Sequence, residues 1–263
     1  MCLITLSWQP ASNTPLIIVA NRDEFYARPT AALHHWPDLP ILAGKDLQAG
    51  GTWLGVAQTP GSSQVRLAAL TNHRDVGSHR LDAPSRGHIA TAFVTGAMSA
   101  AEYLHTLSIT AGMYNPFNLI LFDGQNLLGF ESRRLRTLTL PVGISSVSNA
   151  DFNTPWPKLV RLQHDFERTL ARQAGKEPEL LELELFALLA NDAVAPDAEL
   201  PQTGIGLARE RALSAAFIRT PDYGSRACSV ICVGEAATTF VERSFDADGC
   251  SGQIKATLAL TKP

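Results

Sequence analysis

The first side chain with chemistry to offer is Cys2. A small residue directly after the initiator methionine allows that methionine to be removed. Cys2 would then carry its thiol beside a free α-amine with a pKa of ~8. Such an amine can take the thiol proton, which puts nucleophile and base on one residue. The plain alternative is a strand cysteine buried for packing. Next comes Asn21-Arg22-Asp23-Glu24, which directly follows an apolar run and joins an amide, a guanidinium and two carboxylates. If residues 2–20 form a hairpin, this cluster lies near the start of the first strand and so near Cys2. A cation there lowers a thiol pKa, and a carboxylate can hold the amine. The alternative is a solvated turn with an Arg–Asp pair of small energetic weight.

Asn72 and Asn149 share a setting: Thr71-Asn72 ends the expected strand 66–70, and Ser148-Asn149 ends the expected strand at 144–147. A side-chain amide at a strand end can donate to a developing oxyanion, or it can simply close a strand as a turn residue. Arg226 follows Tyr223-Gly224-Ser225 and opens a strand rich in Ser, Cys and Val. A buried cation needs a partner, and a carboxylate of the 21–24 cluster is the candidate. Cys228 and Cys232 face one side of that strand without a second cysteine pair at zinc spacing, so they read as core. The seven His form no metal signature, and Gly204-Ile205-Gly206 is too short for a nucleotide loop.

These residues need elements to hold them. Strands are expected over 2–8, 15–20, 52–57 and 66–70, with Pro60-Gly61-Ser62-Ser63 as a turn. Residues 73–87 are a polar loop or lid carrying Arg74, Arg80, Arg86, His73 and His79. Helices follow at 87–97 and 99–108. A hairpin over 117–122 and 127–131 turns on Asp123-Gly124, a favoured type I′ pair, and 144–148 is a further strand. Trp156, Leu159, Leu162, Phe166 and Leu170 recur at helical spacing, with Thr154 as N-cap and Pro155 in the first helical position. A second helix covers 180–190 and a loop 191–206. Strands return at 226–233, 238–245 and 252–260. Strands and helices in separate blocks point to an α+β fold with antiparallel or mixed sheets.

The whole chain supports one domain over 1–263. Its 263 residues are 45% hydrophobic, and 22 Lys and Arg against 25 Asp and Glu give a net charge of −3. That balance argues against nucleic acid as a partner. No apolar run approaches the ~20 residues that span a bilayer. Residues 1–10 hold no basic residue and no clean apolar core, so no secretory signal is read and a cytoplasmic location is expected.

In sum the sequence resembles the NRDE family, also called the transport and Golgi organisation 2 family. The matching pieces are Met1-Cys2-Leu3-Ile4, Asn21-Arg22-Asp23-Glu24, Gly50-Gly51-Thr52-Trp53-Leu54-Gly55, Leu70-Thr71-Asn72, Asn115 with Phe117-Asn118-Leu119, Ser148-Asn149, Trp156-Pro157-Lys158 and Tyr223-Gly224-Ser225-Arg226. The family in turn is similar to cysteine N-terminal nucleophile hydrolases such as penicillin V acylase and bile salt hydrolase. That resemblance implies a four-layer αββα sandwich, Cys2 as nucleophile, Asn149 with backbone near Asn72 as oxyanion hole, and Arg226 as a late active-site arginine. The early Arg and Asp of those hydrolases fall on Asn21 and Glu24 without a gap, or on Arg22 and Asp23 with a shift. The implied activity is hydrolysis of an amide or thioester in a small acyl substrate, without a cofactor. The other implied function is a non-catalytic binding or trafficking protein. Its ligand would be haem, held non-covalently since no C-x-x-C-H is present, or acyl-CoA or lipid.

Overall fold

The computed structural model describes residues 2–59, 62, 64–74, 77, 79–173 and 177–259. The first part of the chain forms β1 (Cys2–Trp8), β2 (Leu16–Phe25), β3 (Thr30–His35), β4 (Leu42–Asp46), β5 (Leu54–Gln58), β6 (Val65–Asn72), α1 (Gly87–Thr95) and α2 (Ala100–Thr110). Then follow β7 (Phe117–Phe122), β8 (Leu127–Glu131), β9 (Arg136–Thr139), β10 (Gly143–Val147), α3 (Pro157–Gln173) and α4 (Pro178–Leu189). The chain closes with α5 (Leu207–Ala212), β11 (Tyr223–Val233), β12 (Ala237–Asp246) and β13 (Gly249–Ala259). The architecture is α+β. One antiparallel sheet has the order β10-β1-β2-β11-β12-β13, the other β3-β4-β5-β6-β7-β8-β9.

The strands near the middle of each sheet are apolar on both faces because both faces are covered. In β1, Ile4, Leu6 and Trp8 point between the sheets, where they meet Leu54, Val56, Leu67 and Ile120. Leu3 points the other way and packs with Leu159, Leu162 and Phe166 of α3 and Leu185 of α4. The outer face of the second sheet carries α1 and α2, through Phe93, Val94 and Leu104 against Leu119, Leu121 and Phe130.

Several expectations change. β3, β4, β9 and α5 are elements that the chain's pattern does not announce. The hairpin of β7 and β8 turns on Gly124-Gln125, one residue later than expected. Gly124 takes φ +95°, and Asp123 Oδ1 accepts from the N–H groups of Gln125 and Asn126. α3 begins at Pro157, not Pro155. Thr154 donates its hydroxyl to Asp151 O, so it ends a preceding turn and does not cap the helix. Of the expected turn at 60–63, Pro60, Gly61 and Ser63 lie outside the described residues, as do Asp75, Val76 and Ser78 of the polar loop. Ala174, the last residue of the helix expected over 155–174, and Leu260, the last of the strand expected over 252–260, lie outside them too. Among the described residues, no helix is long and apolar enough to cross a membrane.

Candidate active site

β1 and β2 pair so that Cys2 stands directly opposite Arg22. Alternation along β2 then sorts the four polar residues that end it. Leu16, Ile18 and Ala20 face the other sheet, while Ile17 and Val19 face the helices. Arg22 and Glu24 therefore share the inter-sheet side with Cys2, and Asn21 and Asp23 point toward the helices. Asn21 confirms this: its Nδ2 donates to Leu189 O at the end of α4 and to Ala216 O, both at 2.8 Å. That makes it a clamp between the sheet and the helical layer, not a group facing Cys2.

A cavity of about 690 Å³ opens between the sheets at this end. Cys2, Arg22, Glu24 and Asn72 stand in its wall, with Arg28, Lys45, Asp46, Arg86, Arg226 and Glu242; Asp23 reaches it too. From the polar loop, His79, Arg80 and Arg86 reach the cavity. Arg74 does not: it is buried against Glu210 at 2.8 Å and lies over the Trp156 ring. His73 does not line it either, and sits 3.8 Å from Asp151.

The two sheets are tied together beside Cys2. Ser148 donates its hydroxyl to Cys2 O at 3.0 Å, Thr71 donates to Ser148 O, and Arg74 N donates to Asn149 O at 2.7 Å. Asn149 Nδ2 donates to Asn72 O at 2.8 Å. The two asparagines singled out by their strand-end settings thus meet, though from different sheets. Asn72 faces the cavity, and Asn149 is fully buried behind it. One hydrogen of the Asn149 amide is committed to Asn72 O, leaving the second as a donor.

Arg226 departs from expectation. It is the extra residue of a β-bulge, since Ser225 pairs with Asp23 and Ala227 with Arg22. A bulge re-aims a side chain, and this one turns to the rim. Its Nη1 donates to the carbonyls of Phe25, Tyr26 and Arg28, and its Nε to Phe245 O. Backbone carbonyls, not a carboxylate of the 21–24 cluster, are its hydrogen-bond partners. It binds the segment after β2 to the end of β12.

Burial sets the electrostatics. Cys2 is only 6% exposed, and desolvation pushes its thiol up to about 11. Asp23, also desolvated, is raised from the ordinary carboxylate range, against the pull of Lys158 and the hydroxyl of Ser225, which donates to it at 2.6 Å. Lys158 is the residue that sequence reasoning left without a role. It lies in the first turn of α3, 2% exposed, and its Nζ has no hydrogen-bond partner. Desolvation lowers its pKa to about 8, with the Asp23 carboxylate opposing. Glu242, a cavity residue on β12, was missed as well; burial raises it, and it accepts from Leu33 N at 2.8 Å. Its period-2 position on β12 was the available signal. Chemically, the arrangement offers a covered thiol, guanidinium groups and a carboxylate in one wall, and an amide donor behind it.

A family model described as Transport and Golgi organisation 2 matches residues 1–247. The chain is 35% identical over 262 residues to the Transport and Golgi organization protein 2 homolog of Bos taurus, covering 93% of each chain. It is 34% identical over 265 residues to the homolog of Homo sapiens, again covering 93% of each. The Transport and Golgi organization protein 2 of Drosophila melanogaster is 29% identical over 253 residues, covering 87% of this chain and 86% of the relative.

Proposed function

The chain belongs to the Transport and Golgi organisation 2 family, and we propose that it is a hydrolase of amide or thioester bonds with Cys2 as its nucleophile. The observation that carries this reading is the meeting of Cys2, Arg22 and Asn72 in one cavity wall, with Asn149 held against Asn72. Two sheets with helices outside each are the layers of the N-terminal nucleophile hydrolase sandwich, and we assign the fold to that type. A thiol raised to about 11 is protonated at neutral pH, so attack needs a base within reach. Removal of Met1 supplies one, the α-amine of Cys2 itself. The amine takes the thiol proton, and Sγ attacks the acyl carbonyl. The free hydrogen of the Asn149 amide and a backbone N–H near Asn72 receive the oxyanion. Collapse breaks the bond to the leaving amine or thiol, which takes the proton from the ammonium. Water then attacks the Cys2 thioester and releases the acid, restoring the thiol. Arg22 and Asp23 take the early arginine and aspartate positions of this reading. Glu24 lies beside Arg22, and Arg226 shapes the rim.

The test joins intact mass with turnover. Protein lacking Met1 is expected to hydrolyse a member of an acyl-amide and acyl-thioester panel, and Cys2→Ala to lose that activity to background. Equal turnover by Cys2→Ala would overturn the reading.

One observation favours a second reading. A covered, protonated thiol suits a pocket that holds a ligand without attacking it, such as haem or an acyl-CoA or lipid. Haem fits this wall least, because Arg22, Glu24, Arg28 and Asp46 would lose water against a porphyrin face. A haem titration without saturable spectral change removes that version.

A further inference from the structure

Arg22 is buried yet incompletely used. Its side chain is 9% exposed. Nη2 lies 3.8 Å from Glu24 Oε2 and 3.7 Å from Asp46 Oδ2, distances of charge contact and not of hydrogen bonding. Nη1 is buried with no hydrogen-bond partner. Meanwhile the carboxylates around it have donors of their own. Asp46 accepts from Arg28 Nε at 2.8 Å and from the N–H groups of Gln48 and Ala49. Glu24 accepts from Phe25 N, and Glu242 from Leu33 N. The wall thus has a spare donor in Arg22 Nη1, and Arg22 Nη2 reaches its nearest carboxylate oxygens only beyond hydrogen-bond distance. That is the pattern of a site short of an acceptor.

Arg86 adds a second cation from the other side. It directly precedes α1, and one of its nitrogens donates to Pro116 O at 3.1 Å. Among the described residues it forms no ion pair. Burial disfavours its charge, while Cys2 and Glu24 act electrostatically in its favour. Arg22 comes from β2 and Arg86 from the end of the polar loop, and both line the cavity that Cys2 lines.

We propose that Arg22 and Arg86 form an anion subsite beside Cys2, and that the acyl substrate carries a carboxylate or phosphate next to the carbonyl that Cys2 attacks. This rests on the reading of Cys2 as nucleophile. A cationic substrate would instead meet two guanidinium groups, Arg22 with Nη1 lacking an acceptor and Arg86 lacking a carboxylate partner among the described residues.

The test needs no knowledge of the substrate. Cys2 is alkylated with iodoacetate, an anion, and with iodoacetamide, its neutral counterpart, and modification is read by peptide mass. Cys250 is exposed and serves as the reference thiol on the same chain. The iodoacetate-to-iodoacetamide rate ratio at Cys2 is expected to exceed that at Cys250 by about tenfold, from focusing of an anion in a cationic cleft. Arg86→Met, checked for an unchanged circular dichroism spectrum, should bring the ratio down to that of Cys250, and Arg86→Lys should keep part of it. A wild-type ratio no higher than that of Cys250, or one that Arg86→Met leaves unchanged, overturns the proposal. If Cys2 resists both reagents, calorimetric titration with succinate and with inorganic phosphate decides. Saturable binding that Arg86→Met abolishes supports the subsite, and the tighter of the two anions names its source. Absence of binding by both overturns it. Anion preference without acyl turnover leaves the subsite standing and sinks the hydrolase reading. Turnover without anion preference does the reverse.

Discussion

Lys158 places an ammonium group where neither water nor a hydrogen-bond acceptor reaches it. Its pKa falls from 10.5 to about 8 through desolvation, with the Asp23 carboxylate holding it up. Between those values the unfolded chain binds the proton and the folded chain does not. Stability from this residue therefore rises with pH across the window and is lower beneath it. The urea-unfolding free energy of the wild type, measured against Lys158→Met, should rise by about 1–2 kcal/mol from about pH 8 to about pH 9.5. A flat difference would mean that Lys158 keeps its proton in the folded chain. Chain order could not foretell this environment. A lysine in the first turn of a helix ordinarily reaches water, and only the packing of α3 under the sheet turns this one inward. Arg226 is a similar case: its place on a strand was legible, but the bulge that re-aims it was not.

At the scale of elements, β2 shows what sequence can and cannot tell. The cluster at its end was visible as chemistry, and the hairpin with β1 brought it to Cys2 as expected. Which of the four residues share the inter-sheet side with Cys2 depended on the alternation begun at Leu16. β3 and β4 escaped notice for a physical reason: Thr30, Gly44, Lys45 and Asp46 line the cavity, so these strands lack the apolar alternation of covered ones. The pair Gly51 and Gly87 shows a different constraint. A Cβ at Gly51 would come within 2.4 Å of the Gly87 carbonyl carbon, and Thr52 N donates to Gly87 O at 3.3 Å. Two backbones touch there, and Gly87 directly follows Arg86. Gly51→Ala should cost about 1–3 kcal/mol in chemical denaturation, as overpacking does. It should also erase the iodoacetate preference at Cys2 by displacing Arg86. Unchanged stability together with an unchanged ratio would show that the contact can yield.

Across the whole molecule, the sheet order joins the two ends of the sequence. β1 and β2 lie between β10 and β11, so the strand that carries Cys2 is flanked by residues 143–147 on its open side, and β2 by residues 223–233. The α+β class was legible because strands and helices come in blocks. The pairing of distant blocks was not, because it depends on which faces each sheet must cover. This order has a consequence for a chain under synthesis. The β1–β2 hairpin comes early in the chain, and β11, which pairs with β2, comes about two hundred residues later. At about 5–20 residues per second, the first hairpin waits on the order of ten seconds or more for the strand that covers it. Until then the cavity between the sheets is unfinished, because Arg226 and Ala227 of its lining are not yet made. Formation of the first hairpin and completion of the sheet around it are thus separated in time by the topology itself.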